Sequence, residues 1–261
     1  MNIAVLVKQV PDTTEIKIDK ETGALIRKGI PTITNPDDLT GVELALQLKE
    51  TYGGNIHAFT MGPSSAKNML RELYARGIDE ATLLSDKAFA GSDTWATSHI
   101  LASALKNHSF DIVIAGRQAI DGDTAQVGPQ VAEFLDIPHV SYVNSVIDYK
   151  DGILKVKKNE EHRMLTLNLP TPALITVLDE AAKPRYMNMF DIFKRSHLPL
   201  NQLTCDDLDV SLADIGIKGS PTKVKKTFNK SATQKQPKQT LNPEQAAQTI
   251  LDFIEAKGGQ S

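Results

Sequence analysis

The chain has 261 residues, 41% of them hydrophobic and 23% charged, with a formal net charge of -3. That length allows one large α/β domain with appendages, and the near-neutral balance lacks the basic excess of a nucleic-acid binder. The single cysteine, Cys205, excludes an internal disulfide, is too few for a cysteine zinc site or an iron–sulfur cluster, and suits a cytoplasmic protein.

The opening MNIAVLVKQV has no charged region ahead of its apolar run, so it reads as a buried strand over residues 3–7 and not as a signal peptide. Residues 37–52 place Leu39, Val42, Ala45 and Leu46 on one helical stripe, opened by Asn35-Pro36-Asp37 and closed by Gly53-Gly54. A second strand is expected over 55–61. Gly62-Pro63-Ser64 ends it and starts a helix through Met69, Leu70, Leu73 and Tyr74 that stops at Gly77. A short strand over 81–84 follows. Ser92 or Asp93 then caps a helix through Trp95, Ile100, Leu101, Ala104 and Leu105, and residues 111–115 form another strand. Val127, Val131, Phe134 and Leu135 share the next helical stripe, with Gly128 before Pro129 read as a helix start carrying Pro at its first position. Residues 139–143 read as one more strand. No run approaches the roughly 20 apolar residues of a membrane span, so no membrane insertion is expected.

Repeated strand–helix alternation predicts a mostly parallel sheet with helices on both faces, doubly wound by right-handed crossovers. Such folds place ligands beyond the carboxyl ends of the strands. After residue 143 the pattern changes. Asp151-Gly152 marks a hairpin between 143–149 and 153–157. Residues 165–169 and 173–178 read as two further strands, giving an antiparallel extension of the sheet. Residues 179–200 lose periodicity, and 218–240 form a polar arm. Asn242-Pro243-Glu244-Gln245 starts a helix over 243–257 with Ala246, Ile250, Phe253 and Ile254 on one stripe, which needs something to pack on. The expected division is a nucleotide-binding α/β domain over 1–217, then an arm and C-terminal helix over 218–261.

The most informative stretch runs from the strand end Gly116 through Arg117, Gln118, Ala119, Ile120, Asp121, Gly122, Asp123, Thr124, Ala125, Gln126, Val127 and Gly128 to Pro129 and Gln130. Glycines let main-chain N–H groups approach a phosphate, and a helix N-terminus adds partial positive charge. Thr124 offers a hydroxyl, and Gln126 and Gln130 offer amides. Asp121 and Asp123 suit loop caps or acceptors for ribose hydroxyls. The loop is neither Walker A nor GxGxxG, so on its residues alone a plain turn and a nucleotide loop stand level. Met61-Gly62-Pro63-Ser64-Ser65-Ala66 should lie on the same rim; alone it reads first as a simple helix cap, and two such loops on one rim shift the balance towards a ligand. Residues 90–94 read first as a capping box and second as a nucleotide contact. Trp95 reads as core or interface, and Cys205, beside Asp206 and Asp207, should have a raised pKa. No acid, base and nucleophile set occurs, so any chemistry should belong to a cofactor.

Several of these stretches are similar, in order and spacing, to the beta subunit of electron-transfer flavoproteins. They are VLVKQVPDTTEIKID at 5–19, Asn35-Pro36, Met61-Gly62-Pro63, Gly77-Ile78-Asp79, GRQAIDGDTAQVGPQVAEFLDIP at 116–138 and LDEAAKPRYMNMFDIFKR at 178–195. The resemblance runs from Met1 to about residue 220. It implies an adenine-nucleotide-hydrolase-like, Rossmann-like α/β fold, a partner alpha subunit and a role in electron transfer. Ordinary members carry AMP here and have a loop like Asp-Asp-Asp-x-Asn-Gln-Thr-Gly. The loop Asp121-Gly122-Asp123-Thr124-Ala125-Gln126-Val127-Gly128-Pro129 is instead similar to that of electron-bifurcating members. In those, the subunit binds FAD and takes electrons from NADH. One goes to ferredoxin and one, through the alpha-subunit FAD, to a dehydrogenase of acyl-CoA or lactate type.

By the same resemblance, Leu6, Val7 and Lys8 would line the adenine, with Asn35 near it. Met61, Gly62, Pro63 and Ala66 would border the nucleotide and lie close to NAD(H). Asp93 and Thr94 would lie on the flavin side. The loop and the helix start, from Arg117 and Gln118 to Val131, would hold pyrophosphate and ribose, with Gly122 leaving room for the larger ligand. Residues 179–199 would meet the dehydrogenase, and the C-terminal helix would pack on the alpha subunit. AMP in place of FAD is the alternative, and a nucleotide-sensing module without electron transfer is a third reading.

Overall fold

Alternation along the first strand divides the core in two. Ile3 and Val5 join one buried cluster, and Ala4 and Leu6 join another on the opposite face of the sheet. The computed structural model describes residues 1–12, 31–161, 163–195, 197–225, 238 and 240–258. Residues 13–19 of the N-terminal motif, and 226–237 and 239 of the polar arm, lie outside these.

In chain order the elements are β1 (Asn2–Leu6), β2 (Gln9–Pro11), β3 (Thr32–Thr34), α1 (Pro36–Tyr52), β4 (Asn55–Met61), α2 (Ala66–Arg76), β5 (Glu80–Leu84), α3 (Thr94–Lys106), β6 (Ile112–Gly116) and α4 (Val127–Leu135). There follow β7 (His139–Lys150), β8 (Ile153–Glu160), β9 (Arg163–Pro170), β10 (Ala173–Val177), α5 (Met189–Arg195), β11 (Asn201–Leu203), α6 (Gly216–Gly219) and α7 (Pro243–Gly258). One nine-stranded sheet has the order β11-β5-β4-β1-β6-β10-β7-β8-β9. Every pairing from β11 across to β7 is parallel, and β8 and β9 add an antiparallel extension. The helices α1 and α2 supply Val42, Leu46, Leu70 and Leu73 to one face, and α3 and α4 supply Ile100, Leu105 and Val131 to the other. This is the doubly wound α/β arrangement that the alternating pattern implies.

The antiparallel part differs from expectation in one strand. β10 is parallel and lies between β6 and β7. All five of its residues are buried, as suits a central strand covered on both faces, whereas the preceding hairpin strands alternate. Residues 139–149 form one strand and not two. β7 pairs with β10 at its start and with β8 thereafter. The ribbon of β2 with β3 and the edge strand β11 had no sequence signal, being three residues each.

By contact the chain divides into two units, Met1–Lys225 and Lys226–Ser261. The second contains α7, where Asn242 and Gln245 cap each other's main-chain amides and Ile250, Leu251, Phe253 and Ile254 are exposed. No helix among the described residues is long and apolar enough to cross a membrane.

The start of α4 corrects one expectation. The helix begins at Val127, so Pro129 occupies its third position and not its first. A Cβ on Gly128 would lie 2.6 Å from Thr176 Cγ2 and 3.6 Å from Ala115 Cβ. Residue 128 is therefore glycine because the helix presses on β10 and β6. Thr176 has little freedom to yield, since its hydroxyl accepts the Tyr142 N–H at 3.2 Å. Gly128→Ala should destabilise the first unit by about 1–3 kcal/mol through overpacking. A urea unfolding midpoint equal to wild type would contradict this.

Candidate functional site

The strand order reverses at β1. The chain passes from β1 to β4 and β5 on one side, then crosses the other face through α3 to β6. The carboxyl ends of β1, β4 and β6 therefore open on one crevice. Two residues at the head of α1 set its shape. Asp38 accepts hydrogen bonds from the Lys8 N–H (2.8 Å) and the Gly116 N–H (3.1 Å), linking the ends of β1 and β6. A Cβ on Gly116 would lie 2.3 Å from Asp38 Oδ1, so only glycine allows this approach. Asn35 is fully buried. Its Nδ2 donates to the Gln118 carbonyl (2.8 Å) and its Oδ1 accepts the Ile120 N–H (3.1 Å), which pins the loop after β6.

Burial pushes the Asp38 carboxyl up to about 7, against the pull of Asn35 and the two main-chain donors and with Asp37 beside it. Burial also raises Asp37, which Arg117 partly offsets with its Nε 3.4 Å from Oδ2. Both atoms are buried, and neither has a hydrogen-bond partner among the described residues. Lys8 Nζ lies 2.6 Å from Asp121 Oδ1.

The crevice is a cavity of about 940 Å³ with four walls. Leu6, Val7 and Lys8 form the first, and Phe59, Met61, Gly62 and Pro63 the second. The third runs from Ser85 through Lys87, Phe89 and Gly91 to Thr94, and the fourth from Ala115 to Ala119 and on through Gly122 to Gly128. The fourth wall offers main-chain donors. Thr124, Ala125, Gln126, Val127 and Gly128 all line the cavity, and none of their N–H groups has a hydrogen-bond acceptor among the described residues. Asp123 (φ 48°) and Ala125 (φ 53°) hold left-handed backbone, a conformation worth about 1 kcal/mol or more of strain outside glycine. Left-handed Ala125 followed directly by right-handed Gln126 (φ -106°, ψ -29°) is the backbone pairing of an anion-binding nest.

The expected contacts separate accordingly. Leu6, Val7, Lys8, Met61, Gly62, Pro63, Asp93, Thr94, Arg117, Gln118, Ala119, Gly122 and residues 124–128 line the cavity. Asn35, Asp121 and Asp123 stand behind it as braces, Asp123 accepting from Gln118 Nε2 at 3.0 Å. Ile120 is exposed, Ala66 is buried at the start of α2, and Pro129, Gln130 and Val131 lie inside α4, where Gln130 accepts from Ser98 at 3.1 Å. Asp93 spends Oδ1 on the Ala96 N–H (3.1 Å), capping α3. Sequence reasoning missed Asp38, which reads as an ordinary first-turn acid. It found residues 90–94 of the wall after β5 but missed the part from Ser85 to Phe89, whose position on the same rim was the available signal. Trp95 lies off the cavity, in an aromatic cluster with His99 and Phe134.

Cys205 has a raised pKa, from burial first and then from Asp86 and Asp206. Among the described residues no group of three or more His, Cys, Asp and Glu is placed to hold a metal.

A second surface lies along residues 179–199. Tyr186, Met189, Phe190 and Phe193 are exposed, Tyr186 at 95%. The segment is nonetheless tied down. Arg185 reaches Glu43 (2.8 Å) and Glu50 on α1, Arg76 donates to the Arg185 carbonyl, Arg195 donates to the Ile78 carbonyl (2.7 Å), and the Tyr74 hydroxyl donates to the Pro199 carbonyl (2.8 Å). Burial works to raise the Glu43 carboxyl, but the Arg185 hydrogen bonds outweigh it and hold it below its usual value.

Comparison with known proteins agrees along the chain. The model of the electron transfer flavoprotein domain matches residues 22–199. The chain is 51% identical over 230 residues to the electron transfer flavoprotein subunit beta of Clostridium acetobutylicum, covering 88% of each. It is 45% identical over 258 residues to the Thermoanaerobacterium thermosaccharolyticum protein of the same description, covering 98% of this chain and 99% of the relative. It is also 45% identical over 235 residues to the caffeyl-CoA reductase-Etf complex subunit CarD of Acetobacterium woodii, covering 89% of each.

Asp38 makes stability depend on pH in a definite direction. Its native pKa of about 7 exceeds the ordinary 3.8, so the native state binds the extra proton and this contribution falls as pH rises between those values. His57, pushed down to about 4 chiefly by burial, contributes the opposite slope below its usual 6.5. The difference between wild type and Asp38→Asn isolates the carboxyl. Its advantage over the amide should shrink by up to about 2 kcal/mol from pH 5 to pH 8 in urea titrations. A difference that stays constant or grows would refute the assignment.

Proposed function

The chain belongs to the electron transfer flavoprotein family as a beta subunit, and from that footing we propose that its cavity holds FAD and that it accepts electrons from NADH for division between ferredoxin and a partner dehydrogenase. The observation that carries this reading is the run of amides over residues 124–128 that have no acceptor among the described residues. Five consecutive donors suit a pyrophosphate better than a single phosphate. The cavity of about 940 Å³ lies near the top of the range of roughly 300–1,000 Å³ usual for small-molecule sites, which favours a dinucleotide over AMP. A Cβ at Gly122 would meet nothing within 4 Å, so the loop leaves open space beside it.

In this reading Leu6, Val7 and Lys8 flank the adenine. Residues 124–128 hold the pyrophosphate, and Met61, Gly62 and Pro63 form the rim that NADH approaches. Asn35 and Asp121 keep those walls in place from behind, and Asp38 does so from the cavity lining itself. The bound flavin would supply the hydride-accepting and one-electron chemistry, and this chain contributes binding, orientation and exclusion of water. The exposed stripe of α7 would pack on the alpha subunit, and the protein would work in the cytoplasm. Residues 179–199 would receive the dehydrogenase, their exposed aromatics acting as anchors on a braced segment. One relative is named as a subunit of a caffeyl-CoA reductase complex, which favours a partner acting on CoA thioesters over one acting on lactate.

Nucleotide analysis of the purified heterodimer should find two FAD and no AMP, with flavin bleaching on addition of NADH. One FAD with one AMP would overturn the proposal. Replacing Phe190 and Phe193 together with Ala should slow electron delivery to the dehydrogenase about tenfold or more while NADH-dependent bleaching keeps its rate. Equal loss of both rates would show that the segment does not act as a docking surface.

A further inference from the structure

The third wall of the cavity does not support itself. Residues 88–94 carry no regular ladder, and a later segment of the chain holds them in place. The main chains meet closely there. A Cβ on Gly91 would lie 2.2 Å from Ile217 Cγ1, and one on Gly216 would lie 2.3 Å from the Ala88 carbonyl oxygen. Both glycines have left-handed φ, 74° and 64°. Hydrogen bonds complete the junction. Ser92 Oγ accepts the Gly216 N–H (3.0 Å), and the buried Ser220 Oγ accepts the Asp93 N–H (2.8 Å) while donating to the Gly216 carbonyl (2.7 Å). Thr222 donates twice to Asp93 Oδ2, from its N–H (2.9 Å) and its hydroxyl (2.7 Å).

The contacts continue into the donor loop. Next to Asp93, Thr94 donates its hydroxyl to Gln126 Oε1 (2.9 Å), and Gln126 sits in the middle of the amide run. A continuous set of hydrogen bonds and one peptide step therefore links Thr222 to the wall that offers the main-chain donors. Asp93 is held at both carboxylate oxygens, one by α3 and one by Thr222.

We propose that Ser220 and Thr222 are positioning residues for the cofactor cavity, fixing Asp93 and, through Thr94 and Gln126, the amides of residues 124–128. This rests on the cavity being the seat of the adenine nucleotide. Neither residue lines the cavity, so their effect on a ligand is indirect. Losing the Thr222 hydroxyl removes one donor to an ionised carboxylate and lets the Asp93–Thr94 corner shift. The N–H of Thr222 remains, so the chain stays attached.

The test uses the full-length heterodimer with its alpha subunit and follows release of the beta-subunit nucleotide after dilution, together with the unfolding midpoint. Thr222→Val and Ser220→Ala should each accelerate release about tenfold, the effect of losing one charge-assisted or buried hydrogen bond. Thr222→Ser restores the hydroxyl and should return release to about the wild-type rate, and Thr166→Val, on the exposed edge strand, should not change it. Release unchanged in both Thr222→Val and Ser220→Ala overturns the proposal. So does a lowered unfolding midpoint with faster release in Thr222→Ser as well, since that pattern marks a role in folding alone. Wild-type protein that retains AMP and no FAD would defeat the flavin reading instead. The same comparison, run on AMP release, then decides the role of Ser220 and Thr222.

Discussion

The Asp38 carboxylate accepts the main-chain N–H groups of Lys8 and Gly116, and these bonds fix how the ends of β1 and β6 stand relative to each other. Neighbouring parallel strands have no reason of their own to end with amides pointing at a common acceptor. The head of α1 supplies that acceptor, where the helix dipole favours negative charge. Removing a carboxylate from water is expensive, and the bonds do not fully repay it, since the group titrates near neutrality. The arrangement also dictates its neighbours: residue 116 must lack a Cβ, and Asn35 must be buried to hold the loop that follows. The cavity is a consequence of this junction, because its first and fourth walls both start there.

Donors and apolar anchors are kept on separate parts of the first unit. The cavity wall presents main-chain N–H groups with no acceptor among the described residues, whereas residues 179–199 present Tyr186, Met189, Phe190 and Phe193. Each set is held in place through side chains of α1 or its cap. Arg185 with Glu43 and Glu50 serves the second surface in this way, as Asn35 and Asp38 serve the first.

Much of this could be read from the sequence, for physical reasons. Parallel strands in such a sheet are continuous apolar runs, and helices between them carry stripes, so β1, β4, β6 and α1 to α4 declare themselves. The partner of a strand is not a local property, and the placement of β10 beside β6 was invisible in residues 173–178. The loop after β6 was found through its glycines, but their uses differ from the expected ones. Gly116 makes way for Asp38, and Gly128 makes way for β10. Only Gly122 faces open space. Asp38 escaped notice because an acid in a first helical turn already has an ordinary explanation. Residues 85–89 of the wall after β5 escaped because they are of every chemical type and are held by partners more than a hundred positions away.

The insertion of β10 between β6 and β7 governs when this molecule can mature during translation. The β1 partner of β6 is already made when residue 116 is, whereas its other partner is not made until residues 173–177 are. Arg117, the first residue of the donor loop, gives its N–H to the carbonyl of Val177. A nascent chain that has already made every residue of the cavity therefore still lacks the anchor for one wall, and it carries an open ladder that other chains can join. Anchoring of the donor loop and protection of that edge become simultaneous events, and both wait for the same five residues.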